Sequence, residues 1–316
     1  MFEKENKQKS VIKKFNTQIT ISAHDAGAAY HLLEIYKKNI SNSKLCLDGP
    51  AFDIFNNYCE NLKNYDLTDS LLGSKYLISG TGWSDSLEHN SRKLAAKKGI
   101  FNIAVIDHWV NYFDRFKREE ELILPDEIWV TDDEALKIAN NVFSNIPINK
   151  IPNFWLEDIK LKVIYKKKKL SLIKDNHCPT KLLYFTEPMR SKWGNSEEGE
   201  FQSMRYFFEN IEKLSQLNFI CPIDKLKKIT IKLHPSEITS KYDDLIEEFN
   251  KNIPINVTME KDISKVLVDS EACIGCETQA LVVSLSCGLP TFSSIPPWGP
   301  KCRLPHKDII HLRNIF

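Results

Sequence analysis

No stretch of the 316-residue chain approaches the roughly 18 consecutive apolar residues that a membrane-spanning helix needs. An excess of one charge is missing too. The formal net charge is +1, so no overall field favours nucleic acid, and no nucleic-acid partner is expected. The opening residues, MFEKENKQKSVIKKF, lack the apolar centre of a secretory leader, and a cytoplasmic location is expected. There is no Walker loop and no G-x-G-x-x-G fingerprint. There is also no Asp-x-Asp pair suited to a metal-bridged diphosphate. The eight cysteines do not form a zinc framework: Cys273 and Cys276 have zinc-like spacing, but no second close pair accompanies them. Most cysteines sit in apolar runs, as small buried hydrophobes do. No metal site is expected.

What is present is alternation. Hydrophobic residues make up 42% and charged residues 27%, an ordinary globular mix, and the length suits one large or two ordinary domains. After a polar arm over 1–16, strand-like runs at 17–23, 43–49, 74–80, 101–107 and 127–132 alternate with helix-like runs at 28–39, 51–62, 84–99 and 132–143. Residues 150–154 close the series. Ser84 is the expected cap of its helix and Gly99 its stop. Residues 156–180 are charged, carry the basic run Lys166–Lys169, and read as a solvated linker. The sharper alternative is peripheral contact with an anionic membrane surface. A second alternation fills 181–316. Its strands are at 181–187, 227–235, 255–260, 271–275 and 290–296, and its helices at 200–217, 241–252, 262–270 (capped by Asp262) and 277–288. Repeated strand–helix–strand order predicts an α/β chain of two Rossmann-like parallel-sheet domains, 17–155 and 181–316, facing across a cleft.

Ligands of such sheets bind beyond the carboxyl ends of the strands. In the second half those positions hold Thr186 and Glu187, His234-Pro235-Ser236, Gly275 through Thr278, and Ser293 with Ser294. Pro235 ends a ladder and pushes His234 toward extended geometry at the lip of the sheet. In the first half they hold His24, Asp25 and Gly27, then Gly82 and Trp83, then Asp107 and His108. Small residues beside Asp25 let a backbone approach a ligand closely, and Trp83 offers a ring for stacking. His24 and His108 read equally well as satisfied hydrogen-bonding histidines.

KLHPSE (232–237), followed by DISKVLVDSEACIGCETQALVVSLSCGLPTFSS (262–294), resembles the donor half of GT-B glycosyltransferases. It is most similar to bacterial sialyltransferase-like enzymes that use CMP-activated nonulosonic acids. The resemblance spans about residues 227–296. It implies a nucleotide-sugar co-substrate, with no further cofactor and no metal, bound in the C-terminal half. It also implies a glycan or lipid-linked glycan acceptor in the N-terminal half, as in bacterial surface polysaccharide synthesis. On that resemblance the His-Pro motif and the later serines flank the nucleotide. His234, Ser293 and Ser294 would donate to its phosphate, Glu277 would accept from its ribose, and the helix beginning near 277 would present free N–H groups. Thr186, Glu187, Pro235, Ser236, Gly275 and Thr278 complete the donor side. His24, Gly27, Gly82, Trp83 and His108 form the acceptor side. A transfer needs a base for the acceptor hydroxyl; Asp25 is the first candidate and Asp107 the second. The family's acidic pair followed by glycine has no counterpart: Asp132-Asp133 is followed by Glu134 and reads as a helix cap.

One base and one displacement imply inversion at the anomeric carbon. A UDP-sugar 2-epimerase shares the two-domain fold and would need several acids and bases clustered together. A non-catalytic two-lobed binding protein is the third reading, though such proteins are mostly exported.

Overall fold

The computed structural model describes residues 14–59, 61–82, 85–170, 178–188, 191–249 and 253–316. The chain divides between Trp155 and Leu156 into two units.

In the first unit, the run Ile-Thr-Ile-Ser-Ala forms β1 (Ile19–Ala23), buried at every residue. A strand covered on both faces needs such a run, because parallel sheets are layered by helices on either side. There follow α1 (Ala26–Asn39), β2 (Ser43–Leu47), α2 (Gly49–Asn56), α3 (Leu67–Leu71), β3 (Tyr76–Ser79), α4 (Leu87–Lys97) and β4 (Phe101–Val105). A small antiparallel hairpin, β5 (Lys117–Arg118) and β6 (Glu121–Leu122), precedes β7 (Glu127–Val130), α5 (Asp133–Val142) and β8 (Ile148–Lys150). The sheet order is β2-β1-β3-β4-β7-β8, with every pair parallel. The chain thus steps from β1 to one side and then returns to the other, leaving a switch point between β1 and β3.

The second unit begins with α6 (Phe154–Lys169), which crosses the division. It continues through β9 (Lys181–Phe185), α7 (Gly199–Glu209), α8 (Ile211–Gln216), β10 (Lys228–Lys232), α9 (Asp243–Phe249) and β11 (Ile255–Thr258). α10 (Ile263–Val268), β12 (Ala272–Gly275), α11 (Gln279–Ser286), β13 (Thr291–Ser293) and β14 (Ile310–His311) complete it. Its order, β11-β10-β9-β12-β13-β14, again wholly parallel, puts the switch point between β9 and β12. Aromatic side chains of α7 fill its core: Phe207 lies 5.6 Å from the Tyr184 ring and 5.1 Å from Phe208.

Three expectations are corrected. The segment read as a linker is helical through Lys169, because Ile159, Val163 and Lys167 recur every four residues on one buried face. Lys167 buries its stem and donates to the Ser270 carbonyl, so the basic run is not uniformly solvated. The helix expected over 200–217 breaks at Asn210, whose side chain donates back to the Tyr206 carbonyl at 2.8 Å. The helix after β3 has Ser86 at its cap position; Ser84 lies outside the described residues. Asp262 does cap its helix, accepting from Ser264 N–H at 2.9 Å, and Gly99 follows α4 in the left-handed region at φ +65°.

Phe207→Ala should lower the unfolding free energy by about 3–5 kcal/mol in urea titration. A loss below about 1 kcal/mol would contradict the packing of this core.

Candidate functional site

At the second switch point two adjacent residues leave β9. Thr186 Oγ1 accepts the His234 N–H at 2.8 Å, and Glu187 Oε2 accepts the Glu277 N–H at 3.0 Å. The loops after β10 and β12 are therefore gripped from the strand between them. His234 Nδ1 faces Ser236, whose N–H lies 3.2 Å away and whose hydroxyl lies 2.8 Å away. Burial lowers the His234 imidazole below its ordinary value; Lys232 and Lys241 push the same way, and Glu237 opposes them. That direction favours the neutral ring. Pro235 and Ser236 are exposed beside it.

Several expected donor residues are otherwise engaged. Glu277 is 3% exposed, and its carboxylate receives the Arg303 guanidinium and, at 3.0 Å, the Arg303 N–H. That ion pair, rather than a ribose, occupies it. Ser293 Oγ donates to the Cys276 carbonyl at 2.7 Å. Ser294 Oγ lies 3.0 Å from the Tyr184 hydroxyl and 2.7 Å from Ser203 Oγ. Both serines are buried and tie the sheet together, so neither hydroxyl is open to a ligand. Thr278 is spent as the cap of α11, accepting from Ala280 N–H. Gly275 permits close strand packing: a Cβ there would lie 3.0 Å from the Phe185 carbonyl oxygen. Arg303 had no sequence signal, standing outside any motif and 26 residues beyond its partner. Cys273 and Cys276 are core thiols pushed upward by burial. Among the described residues no cluster of His, Cys, Asp and Glu is fit to hold a metal.

At the first switch point the strand ends converge. Asp25 stands at the cap position of α1, yet its side chain makes no cap bond to the helix. It turns instead to His24 Nδ1 at 2.8 Å. Burial pulls the His24 imidazole down, but the Asp25 hydrogen bond and charge, with Asp85 and Glu88, leave it above its ordinary value. Glycine is required around this pair. A Cβ on Gly82 would collide with the Asp25 carboxylate, and one on Gly49 (φ +49°) would lie 2.5 Å from His24 Nε2. Gly27 likewise makes room for the Asp107 carboxylate. Asp107 is paired with Arg115 at 3.4 Å, and Arg115 also donates to the Thr81 carbonyl at 3.1 Å. Arg118 donates to the Gly82 carbonyl. Two buried residues that sequence reasoning missed, Glu88 and Arg92, also hold these strand ends. Glu88 Oε1 accepts the His24 N–H at 3.0 Å, and Arg92 donates to the Gly80 carbonyl at 2.8 Å. Burial raises Glu88 and lowers Arg92 to about 10. His108 Nδ1 accepts the Trp109 N–H at 2.9 Å. Trp83 lies outside the described residues. His24, Asp25, Gly27, Gly82 and Asp107 are thus brought together at one sheet end.

No family model matches the sequence, and no curated protein does. Solved structures do. UDP-GlcNAc 2-epimerase from Methanocaldococcus jannaschii superposes at TM-score 0.56 with 11% identity, over 88% of this chain and 83% of that one. MurG from Acinetobacter baumannii gives 0.44 with 8% identity, over 87% and 78%. A glycosyltransferase from Rickettsia africae gives 0.48 with 11% identity, over 88% and 79%. The correspondence with the epimerase is one of fold. The chain has a GT-B-type α/β fold of two Rossmann-like units.

Glu187 supplies a test. Burial pushes its carboxyl up to about 7, with the Glu277 charge adding to the rise against the Glu277 N–H and Arg303. A carboxyl raised in the folded state favours folding when protonated, so that contribution is full below about 4.3 and is lost as pH rises through about 7. Glu187→Gln keeps an acceptor for the Glu277 N–H and removes the titration. Its melting temperature should exceed the parent's by a few degrees at pH 8 and by less at pH 5. Equal differences at both pH values would contradict the assignment.

Proposed function

We propose that this chain is a nucleotide-sugar-dependent glycosyltransferase acting without a metal, with the donor nucleotide on the second unit and the acceptor on the first. One asymmetry carries the reading. The carboxylates at the second unit's strand ends are built into the fold: Glu277 with Arg303, Glu237 with Lys241, and Glu187 with the Glu277 N–H. The first unit holds a carboxylate, Asp25, that is partnered by an imidazole and approached by glycine. A single displacement asks for one acceptor-side base and for donors that neutralise a leaving phosphate.

Asp25 takes the acceptor hydroxyl's proton, and the His24 imidazole at 2.8 Å holds its carboxylate in place. His234 donates to an oxygen of the departing nucleotide. Asp107, paired with Arg115 at 3.4 Å, is the second candidate for the base. Inversion follows from one displacement. The resemblance of residues 227–296 suggests a CMP-activated nonulosonic acid as donor, and a glycan or lipid-linked glycan of surface polysaccharide as acceptor. Among the described residues no helix is long and apolar enough to cross a membrane. The exposed Lys166, Lys168 and Lys169 suit peripheral contact with anionic lipid. The second reading is a UDP-sugar 2-epimerase, favoured by the fold match.

A thermal-shift panel of CMP, CDP, UDP, GDP and ADP without Mg²⁺ should show stabilisation by a pyrimidine nucleotide. Asp25→Asn should lower acceptor-dependent turnover about 10²–10⁴-fold while leaving that shift in place. Appearance of the C2-epimeric sugar, free or still UDP-linked, with no acceptor would select the epimerase. A response only to ATP with Mg²⁺, or only to NAD, would discard both readings.

A further inference from the structure

The turn that carries His234 is closed twice. Glu237 N–H donates to the His234 carbonyl at 3.0 Å, and His234 N–H donates back to Glu237 Oε2 at 3.0 Å. Pro235 fixes one backbone angle between them. Closing the turn lays the Ser236 N–H against His234 Nδ1 at 3.2 Å. A backbone N–H only donates, so Nδ1 is the accepting nitrogen, and the proton of the neutral ring belongs on Nε2.

Glu237 is itself held hard. Its side chain is 2% exposed. The Tyr242 hydroxyl donates at 2.7 Å, the Lys241 ammonium at 2.6 Å, and the Thr186 hydroxyl to the other oxygen. Lys241 continues to Glu200 Oε1 at 2.7 Å. Burial works to raise the Glu237 carboxyl, but the hydrogen bonds from Lys241, Thr186, Tyr242 and the His234 N–H leave it below its ordinary value. A buried carboxylate this well satisfied has one geometry open to it.

We infer that Glu237 is a positioning residue: the turn it closes presets His234 as the Nε2–H tautomer, a hydrogen-bond donor at the strand end. That the acceptor of this donor is a nucleotide phosphate rests on the function proposed above; the presetting does not. The arrangement makes chemical sense for an anionic leaving group. A ring locked as a donor needs no tautomer change as charge grows on the oxygen it faces.

The test uses the full chain with ¹⁵N-labelled histidine, the ring signals being assigned through His234→Gln. In the parent at pH 8, His234 should show a protonated Nε2 and an unprotonated, hydrogen-bonded Nδ1. A protonated Nδ1 overturns the inference whatever any variant does. In Glu237→Ala the two ring signals should move toward each other through tautomer exchange, and kcat should fall about 10²-fold with KM for the nucleotide sugar changing less. Glu237→Gln retains an oxygen for the His234 N–H and should restore part of both. Unchanged ring signals in a folded Glu237→Ala protein would overturn the inference. If Glu237→Ala does not fold, the parent spectrum and Glu237→Gln decide. A preset Nε2–H with no response of the ring to CMP or UDP would leave the positioning role standing and remove the proposed function.

Discussion

Thr186 and Glu187, next to each other at the end of β9, reach in opposite directions. One accepts the N–H of His234 and the other the N–H of Glu277. Strands β10 and β12 are separated by β9 in the sheet, where Lys232 and Gly275 both pair with Phe185, and this grip carries the link on into the loops. Without this double grip, two loops leaving non-adjacent parallel strands would need other partners for their backbone polar groups. The grip also sets electrostatics. Thr186 donates its hydroxyl to Glu237, which draws the His234 turn down onto the strand. Glu187 stands beside Glu277, and Arg303 answers the second charge. The position of the His234 turn and the raised Glu187 carboxyl both trace to one short segment.

The first unit solves the same topological problem with different chemistry. Its reversal lies between β1 and β3, and a buried polar layer holds the strand ends: Glu88 accepts from His24 and Arg92 donates to Gly80. Glycines there leave no room for side chains, so the Asp25 carboxylate and the backbone meet directly. Asp25 is withheld from its own helix and turned to an imidazole, which costs α1 a cap of about 1 kcal/mol. Structure of that kind fits a functional demand better than a stability demand.

Sequence reading and structure agree where a periodic pattern decides and part where burial decides. The alternation of Ile- and Val-rich runs with amphipathic helices shows both sheets, and strand-end position locates His24, Asp25, Gly82, Asp107 and His234. The serines at 293 and 294 look like donors in one dimension. In three dimensions they are inward residues of β13 and its end, bonded to Cys276, Tyr184 and Ser203. Glu277 looks like a ribose partner until Arg303 arrives from a loop that carries no motif. Glu237 stood in plain view within KLHPSE, with Lys241 and Tyr242 only four and five residues on, but its role also depends on Thr186, 51 residues away, and a contact of that range leaves no local pattern. The helix α6 hid behind its lysines because composition masks a buried stripe set by only Ile159, Val163 and Lys167.

The central claim is that the loops gripped by β9 form one ligand-binding end of the second sheet. Amide hydrogen exchange, with and without CMP or UDP, tests it most directly. The account predicts slowed exchange together at residues 186–187, 234–237 and 276–279, with the far ends of the same strands unchanged. Stabilisation by nucleotide with no protection in those three segments would contradict it.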